Sequence, residues 1–176
     1  VGGWAEASAT GVLATAYDVS IYQAGNISAT AEVASGYGGA YATGVFAAGT
    51  YSVSFESAAG SSVHASATGE SYAYATGVLV AGYNYVHVDN GGDIDAFASA
   101  YYGGATGLAV YAVYDVAVSN SGDITAEFDG VYGEALGVGV FSISGDVYLN
   151  NSGSLTATSS DYGVGVYLAS KYFTDL

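Results

Sequence analysis

The chain has 176 residues and a formal charge of −15, with one basic side chain, Lys171, against 16 Asp and Glu. That balance excludes a phosphate-binding surface of clustered Lys and Arg, so neither nucleic acid nor anionic lipid is an expected partner. The absence of Cys excludes disulfides and zinc–thiolate sites, and no apolar run approaches the roughly 18 residues of a transmembrane helix.

No basic stretch followed by an apolar one opens the sequence, so the expectation is one trimmed or mature domain, residues 1–176, with partial coils at 1–10 and 169–176. The opening "GGWAEASATG" fits the latter part of a strand, with Ala5 at the place of a recurring Ala. From there the chain repeats about every 30 residues, and a repeat decides the fold before any local signal does. The first strand of each repeat follows a glycine: Gly11, Gly44, Gly77, Gly107, Gly137 and Gly163. Alternate residues after it are apolar, as in Val12 and Ala14, Val45 and Ala47, Val78 and Val80, or Val164 and Val166. This is the period of a strand with one buried face. A second strand follows, with inward pairs such as Val19 and Ile21, Val53 and Phe55, and Val147 and Leu149.

The third strand is announced by a turn phrase, "AGNIS" from Ala24, "NGGDI" from Asn90, "NSGDI" from Asn120 and "NSGSL" from Asn151. Gly, Asn, Ser and Asp are the residues that tolerate turn geometry. Its first inward column is Ile27, Val63, Ile94, Ile124 and Leu155. Two residues on stand Ala29, Ala65, Ala96, Ala126 and Ala157, a column with no room for a larger side chain. The outward residues between them, Ser28, His64, Asp95, Thr125 and Thr156, share only polarity.

A β-propeller requires four strands and about 40 residues per blade, and the successive hairpins of a sandwich need not share residue types. A solenoid obliges them to, because each strand lies about 4.8 Å above its own copy. The expected fold is therefore all-β: a single parallel β-solenoid, three short strands per coil, between five and six coils. Coils of this kind, with "NSG" turns and "ATGV" strands, resemble the parallel β-helix repeats of bacterial autotransporter passengers and filamentous adhesins, from about Ala5 to Leu168. The resemblance implies a right-handed coil, an extracellular or cell-surface location and a scaffold role. The chain departs from that family in its 18 Tyr and near absence of Lys, and it shows no outer-membrane barrel.

No nucleophile–base pair emerges, since His64 and His87 fall on outward positions of different strands. The short Gly- and Tyr-rich loops argue against the groove of a polysaccharide-active enzyme, and one Thr per coil (Thr10, Thr43, Thr76, Thr106) argues against a Thr-x-Thr ice-binding ladder. The densest carboxylate cluster is Asp89, Asn90, Asp93 and Asp95, with Asn120 and Asp123 one coil above. Hard oxygen ligands of this kind suit Ca²⁺, the one cofactor expected to be possible. Tyrosines form expected ladders: Tyr72, Tyr102, Tyr132 and Tyr162; Tyr111, Phe141 and Tyr167; and Tyr17, Tyr51 and Tyr114. They either stiffen the corners or offer a flat surface to carbohydrate or a host surface.

The expected function is a non-catalytic extracellular scaffold that stacks head to tail into a fibre, with an adhesin segment binding carbohydrate or a host surface as the alternative. Neither end shows a polar capping helix. On the expected phase, the third strand of one molecule follows the second strand of another, with Trp4, Tyr172, Phe173 and Leu176 near the join.

Overall fold

The structure, a computed structural model, describes residues 4–34 and 36–176; "GG" at the start of the opening phrase lies outside them. Thirteen strands occupy these residues: β1 Trp4–Gln23, β2 Asn26–Val33, β3 Tyr37–Ser57, β4 Ser62–Gly69, β5 Tyr72–Gly82, β6 Tyr85–Asn90, β7 Asp93–Ala112, β8 Asp115–Asn120, β9 Ile124–Ser142, β10 Val147–Asn151, β11 Leu155–Ser159, β12 Tyr162–Ala169 and β13 Thr174–Asp175. Among the described residues there is no helix, and so none long and apolar enough to cross a membrane. All pairings are parallel, and they join each coil to the next in a β-solenoid of about 6 turns with about 31 residues per turn.

Three sheets result. The first stacks Val12, Val45, Val78, Leu108, Val138 and Val166. The second stacks Val19, Val53, Val86, Val116 and Val147, and ends on Thr174. The third stacks Ile27, Val63, Ile94, Ile124 and Leu155. The long strands turn corners without leaving β geometry: β1 and β3 each serve the first and second sheets, while β7 and β9 serve the third and first. At the corner after Ala16 the register slips, so that Tyr17 alone faces two residues of β3.

The interior divides into two lobes. One holds the branched residues, with Phe55 the largest of its fully buried side chains. The other is almost entirely Ala, including Ala40, Ala65, Ala73, Ala96 and Ala126. A column of glycines, Gly11, Gly44, Gly77, Gly107, Gly137 and Gly165, marks the boundary. A Cβ on Gly77 would stand 2.4 Å from Ile94 Cγ2 and 2.6 Å from the Gly107 carbonyl oxygen, distances that no side chain sustains. Beyond this pinch the first and third sheets close to methyl-to-methyl spacing, which explains the all-Ala columns. Phe128 is the exception. It continues the column of Ala67 and Ala98, and glycines make its room: Cβ atoms on Gly130 and Gly133 would fall 2.3 and 2.5 Å from its ring.

Register corrects two expectations. Gly165, not Gly163, stands over Gly137, so Val166 and Leu168 are the inward pair of the last coil and Val164 faces outward above Leu136. Only two residues lie between Ser159, above Phe128, and Tyr162, above Glu134, where the coil below uses five. The last coil cuts this corner. At the other end, Trp4 pairs with Tyr37 and Ala5 with Gly38, placing them at the entrance to the first strand rather than in the Ala column of the third. The described chain therefore starts in the first sheet and ends in the second.

Ala126 is fully buried, whereas Thr125 beside it is half-buried and faces outward. Ala126→Leu is expected to cost about 1–3 kcal/mol by overpacking, and Thr125→Leu to leave thermal unfolding nearly unchanged. Equal losses in the two variants would contradict the register.

Candidate functional site

Asn90, Asn120 and Asn151 end the second strand of successive coils, in register with Gln23 and Ser57 below. Their amides point inward. Asn90 Nδ2 donates to Asn120 Oδ1 at 2.7 Å, and Asn120 Nδ2 donates to Asn151 Oδ1 at 2.7 Å. Each Nδ2 also donates to the carbonyl two residues on, at Gly92, Gly122 and Gly153. Ser57 Oγ donates to Asn90 Oδ1 below, and Gln23 Nε2 donates to the carbonyls of Gly25 and Ser62. An Asn can hydrogen-bond to its own copy because its amide carries both donor and acceptor. The glycine of "NSG" is steric: a Cβ on Gly122 would stand 1.9 Å from the Gly92 carbonyl oxygen.

The ladder divides the six residues of the expected calcium cluster. Asn90 and Asn120 are buried with their oxygens accepting hydrogen bonds, whereas Asp89, Asp93, Asp95 and Asp123 lie on the outer surface. Among the described residues no three acidic or histidine side chains converge as a metal would require. The stacked carboxylates have donors of another kind. Asp123 N–H reaches Asp93 Oδ1 at 3.4 Å, Ser154 N–H reaches Asp123 Oδ1 at 3.1 Å, and Asp146 N–H reaches Asp115 Oδ1 at 3.0 Å.

The aromatic ladders form in part. Tyr72, Tyr102 and Tyr132 stack at 5.6 and 5.4 Å between centroids, and Tyr101 packs edge-on against Tyr102 and Tyr132. Tyr162 is not a member, because the shortened last coil seats it above Glu134. Tyr111 and Phe141 stack at 5.1 Å. Tyr167 stands two residues out of that column, above Gly139, yet its tilted ring reaches Phe141 at 5.2 Å. Tyr17 stacks on Tyr51 at 5.2 Å, but Asn84 follows in the next coil, and Tyr114 packs instead edge-on to Tyr83. Sequence reasoning missed the stacked pair Tyr41–Tyr74, whose signal is the phrase "AYATGV" in both coils.

Where the Tyr72 column meets Gly39, with Gly38 beside it, the rings stop and leave a trough of ≈ 510 Å³ walled by Trp4, Glu6, Tyr41, Tyr72 and Tyr74. His87 stands on the outer face of the second sheet, against Tyr85 and between two shallow grooves. His64 is on the third sheet. The two imidazoles share no site.

The four residues expected at a head-to-tail join lie at the two ends of the solenoid. Phe173 packs on Tyr148 at 5.8 Å, Val147 N–H donates to its carbonyl, and Tyr172 and Leu176 flank the same stretch at the second sheet. Trp4 lies against Tyr37 at the opposite end of the solenoid, at the entrance to the first sheet. Comparison with protein families, with characterised proteins and with solved structures returns no match.

Asn120→Ala is expected to cost about 1–3 kcal/mol, because it strands the Asn90 donor and the Asn151 acceptor. Asn150→Ala, on the exposed face one residue before Asn151, serves as the control, with no expected change in melting temperature. Added calcium and a chelator are both expected to leave the melting temperature unchanged; a rise with calcium would restore the cation site.

Proposed function

We propose that this chain is a non-catalytic structural β-solenoid of an extracellular fibre or surface scaffold, joined to further coils through its open ends. The observation that carries this reading is the pair of uncovered ends. β1 and β2 present unpaired edges at one end, and β11, β12 and β13 at the other, among the described residues. Apolar rungs stand open there: Val12, Ile21 and Ile27 at one end, Leu155, Val166 and Leu168 at the other, all partly exposed. Uncovered edges of this kind template another strand, and a contact that does not close on itself propagates.

When copies stack head to tail, β1 of one copy lies on β12 and β13 of the next, so two of the three sheets run through the joint. The third is left with a notch one strand wide above β11. Trp4 and Phe173 bear on different corners of that joint. The composition accords with display outside the cell, as does the resemblance to autotransporter passenger and adhesin repeats.

A second reading, an adhesin segment, rests on the trough at Gly39. Tyr and Trp rings there offer flat apolar faces and Glu6 offers an acceptor, the combination that holds a sugar ring. A glycan array that reports binding to the parent chain and none to Tyr72→Ser would favour it.

Electron microscopy with light scattering tests the fibre. The protein is expected to form filaments one solenoid wide. Leu155→Lys places a charge on the last rung of the third sheet and is expected to shorten or abolish them while the β signature in circular dichroism persists. A chain that stays unpolymerised at all concentrations would refute the reading.

A further inference from the structure

Between Thr10 and Ala16, and at the matching positions of the later coils, the outer face of the first sheet carries no charge. Three outward columns cross the six rungs there. One begins Thr10, Thr43, Thr76, Thr106 and ends Leu136, Val164; the next is Leu13, Phe46, Leu79, Ala109, Gly139 and Tyr167; the last is Thr15, Ala48, Ala81, Tyr111, Phe141 and Ala169. None of the 16 carboxylates of the chain occupies any of these positions. Leu13 is 67% exposed, Tyr111 45% and Tyr167 49%, with Phe46, Leu79 and Phe141 half-buried.

The relief of this face is matched to itself. On the second and third rungs the large residues are Phe46 and Leu79, and the small ones are Ala48 and Ala81. On the fourth and fifth the order reverses: Ala109 and Gly139 are small, Tyr111 and Phe141 large. Among Leu136, Phe141, Tyr162 and Tyr167 a dimple of ≈ 290 Å³ opens, with Glu134 on its wall.

We propose that this face docks on a second copy of the same chain, by a two-fold axis lying along the strands so that the solenoid axes run antiparallel. The first rung then meets the sixth, the second the fifth and the third the fourth. Phe46 of one copy covers Gly139 of the other, Leu79 covers Ala109, and Phe141 and Tyr111 cover Ala48 and Ala81. In these two columns the large side chains of the four central rungs each meet a small one, the self-complementarity that an isologous contact requires, and Leu13 meets Tyr167 at the outer rungs. Charge points to the same occupant. Two molecules of −15 repel wherever their acidic faces approach, and the three columns carry no charge; Glu134, just outside them, faces Tyr41 of the other copy and not a carboxylate. The extent suffices: six rungs about 4.8 Å apart by the seven residues from Thr10 to Ala16 give roughly 600 Å² per copy, at the lower edge of stable protein interfaces. This contact is lateral and independent of the pairing at the coil ends.

Sedimentation equilibrium on Leu155→Lys, in which end-to-end growth is blocked, reads the lateral contact alone. A dimer is expected, and adding Leu79→Asp is expected to weaken it on the order of 100-fold without change in circular dichroism. Thr125→Asp, on the third sheet, is expected to leave it intact. Thr43→Cys mixed with Leu136→Cys is expected to oxidise to a cross-linked heterodimer, and neither variant alone to cross-link. A monomer at every concentration, insensitivity to Leu79→Asp, self-cross-linking of Thr43→Cys, or adsorption of a monomer to neutral phosphatidylcholine vesicles would each overturn the proposal. The first of these leaves the fibre reading standing if the parent chain still forms filaments.

Discussion

Parallel in-register stacking requires each residue to tolerate its own counterpart about 4.8 Å above and below. Every other feature of this chain follows from how residue types meet that condition. Valine and isoleucine pack on themselves at this spacing. Tyrosine stacks, contributing about 0.5–1.5 kcal/mol per pair beyond burial. Asparagine donates to and accepts from its own copy, so a polar column can be buried at Asn90 and Asn120, and continued at the half-buried Asn151, without stranding a hydrogen bond. Aspartate cannot pair with itself when ionised. Where aspartates stack at the turns, as at Asp93 and Asp123 or Asp115 and Asp146, the carboxylate of one coil takes a backbone N–H of the coil above.

The columns of inward residues were legible because stacking writes them into the sequence as like residues at a constant phase. What the sequence hid was any displacement that preserves alternation. "YGVGVYLA" offers two glycines two residues apart, and a slip of two keeps every side chain on its face. Only the neighbouring coil decides that Gly165, and not Gly163, lies over Gly137. The misplacement of Tyr162 and Tyr167 follows from the same slip, and that of Ala5 from an alternation that fits two strands equally. The Asn ladder was hidden for another reason. Asn before Gly reads as turn chemistry, and the side chain's direction depends on whether it belongs to the end of the strand or to the turn. Phe128 was legible in principle, since Gly103, Gly130 and Gly133 replace bulkier neighbours around it, but the signal is spread over three positions on two coils.

The three sheets divide the labour of the surface. The third and second carry turn aspartates and a mixture of hydroxyls. The first carries none of this charge between Thr10 and Ala16 or at the matching positions of later coils. A repeat fold makes such segregation easy, because one substitution pattern copied from coil to coil colours a whole face without touching the core. The inward residues then specify the fold, and the outward columns are free to specify company.

The shortened corner of the last coil bears on how the molecule would carry a load. Backbone hydrogen bonds here run along the solenoid axis, so tension along that axis pulls on one rung after another, as a seam is unpicked, and yields at whichever rung holds least. β11 and β12 grip β9 across a junction of two residues, and β13 adds only Thr174 and Asp175 to β10. Extension from this end would unwind the coils in sequence, and the hydrogen-bonded Asn151, Asn120 and Asn90 would act as successive catches in the unwinding.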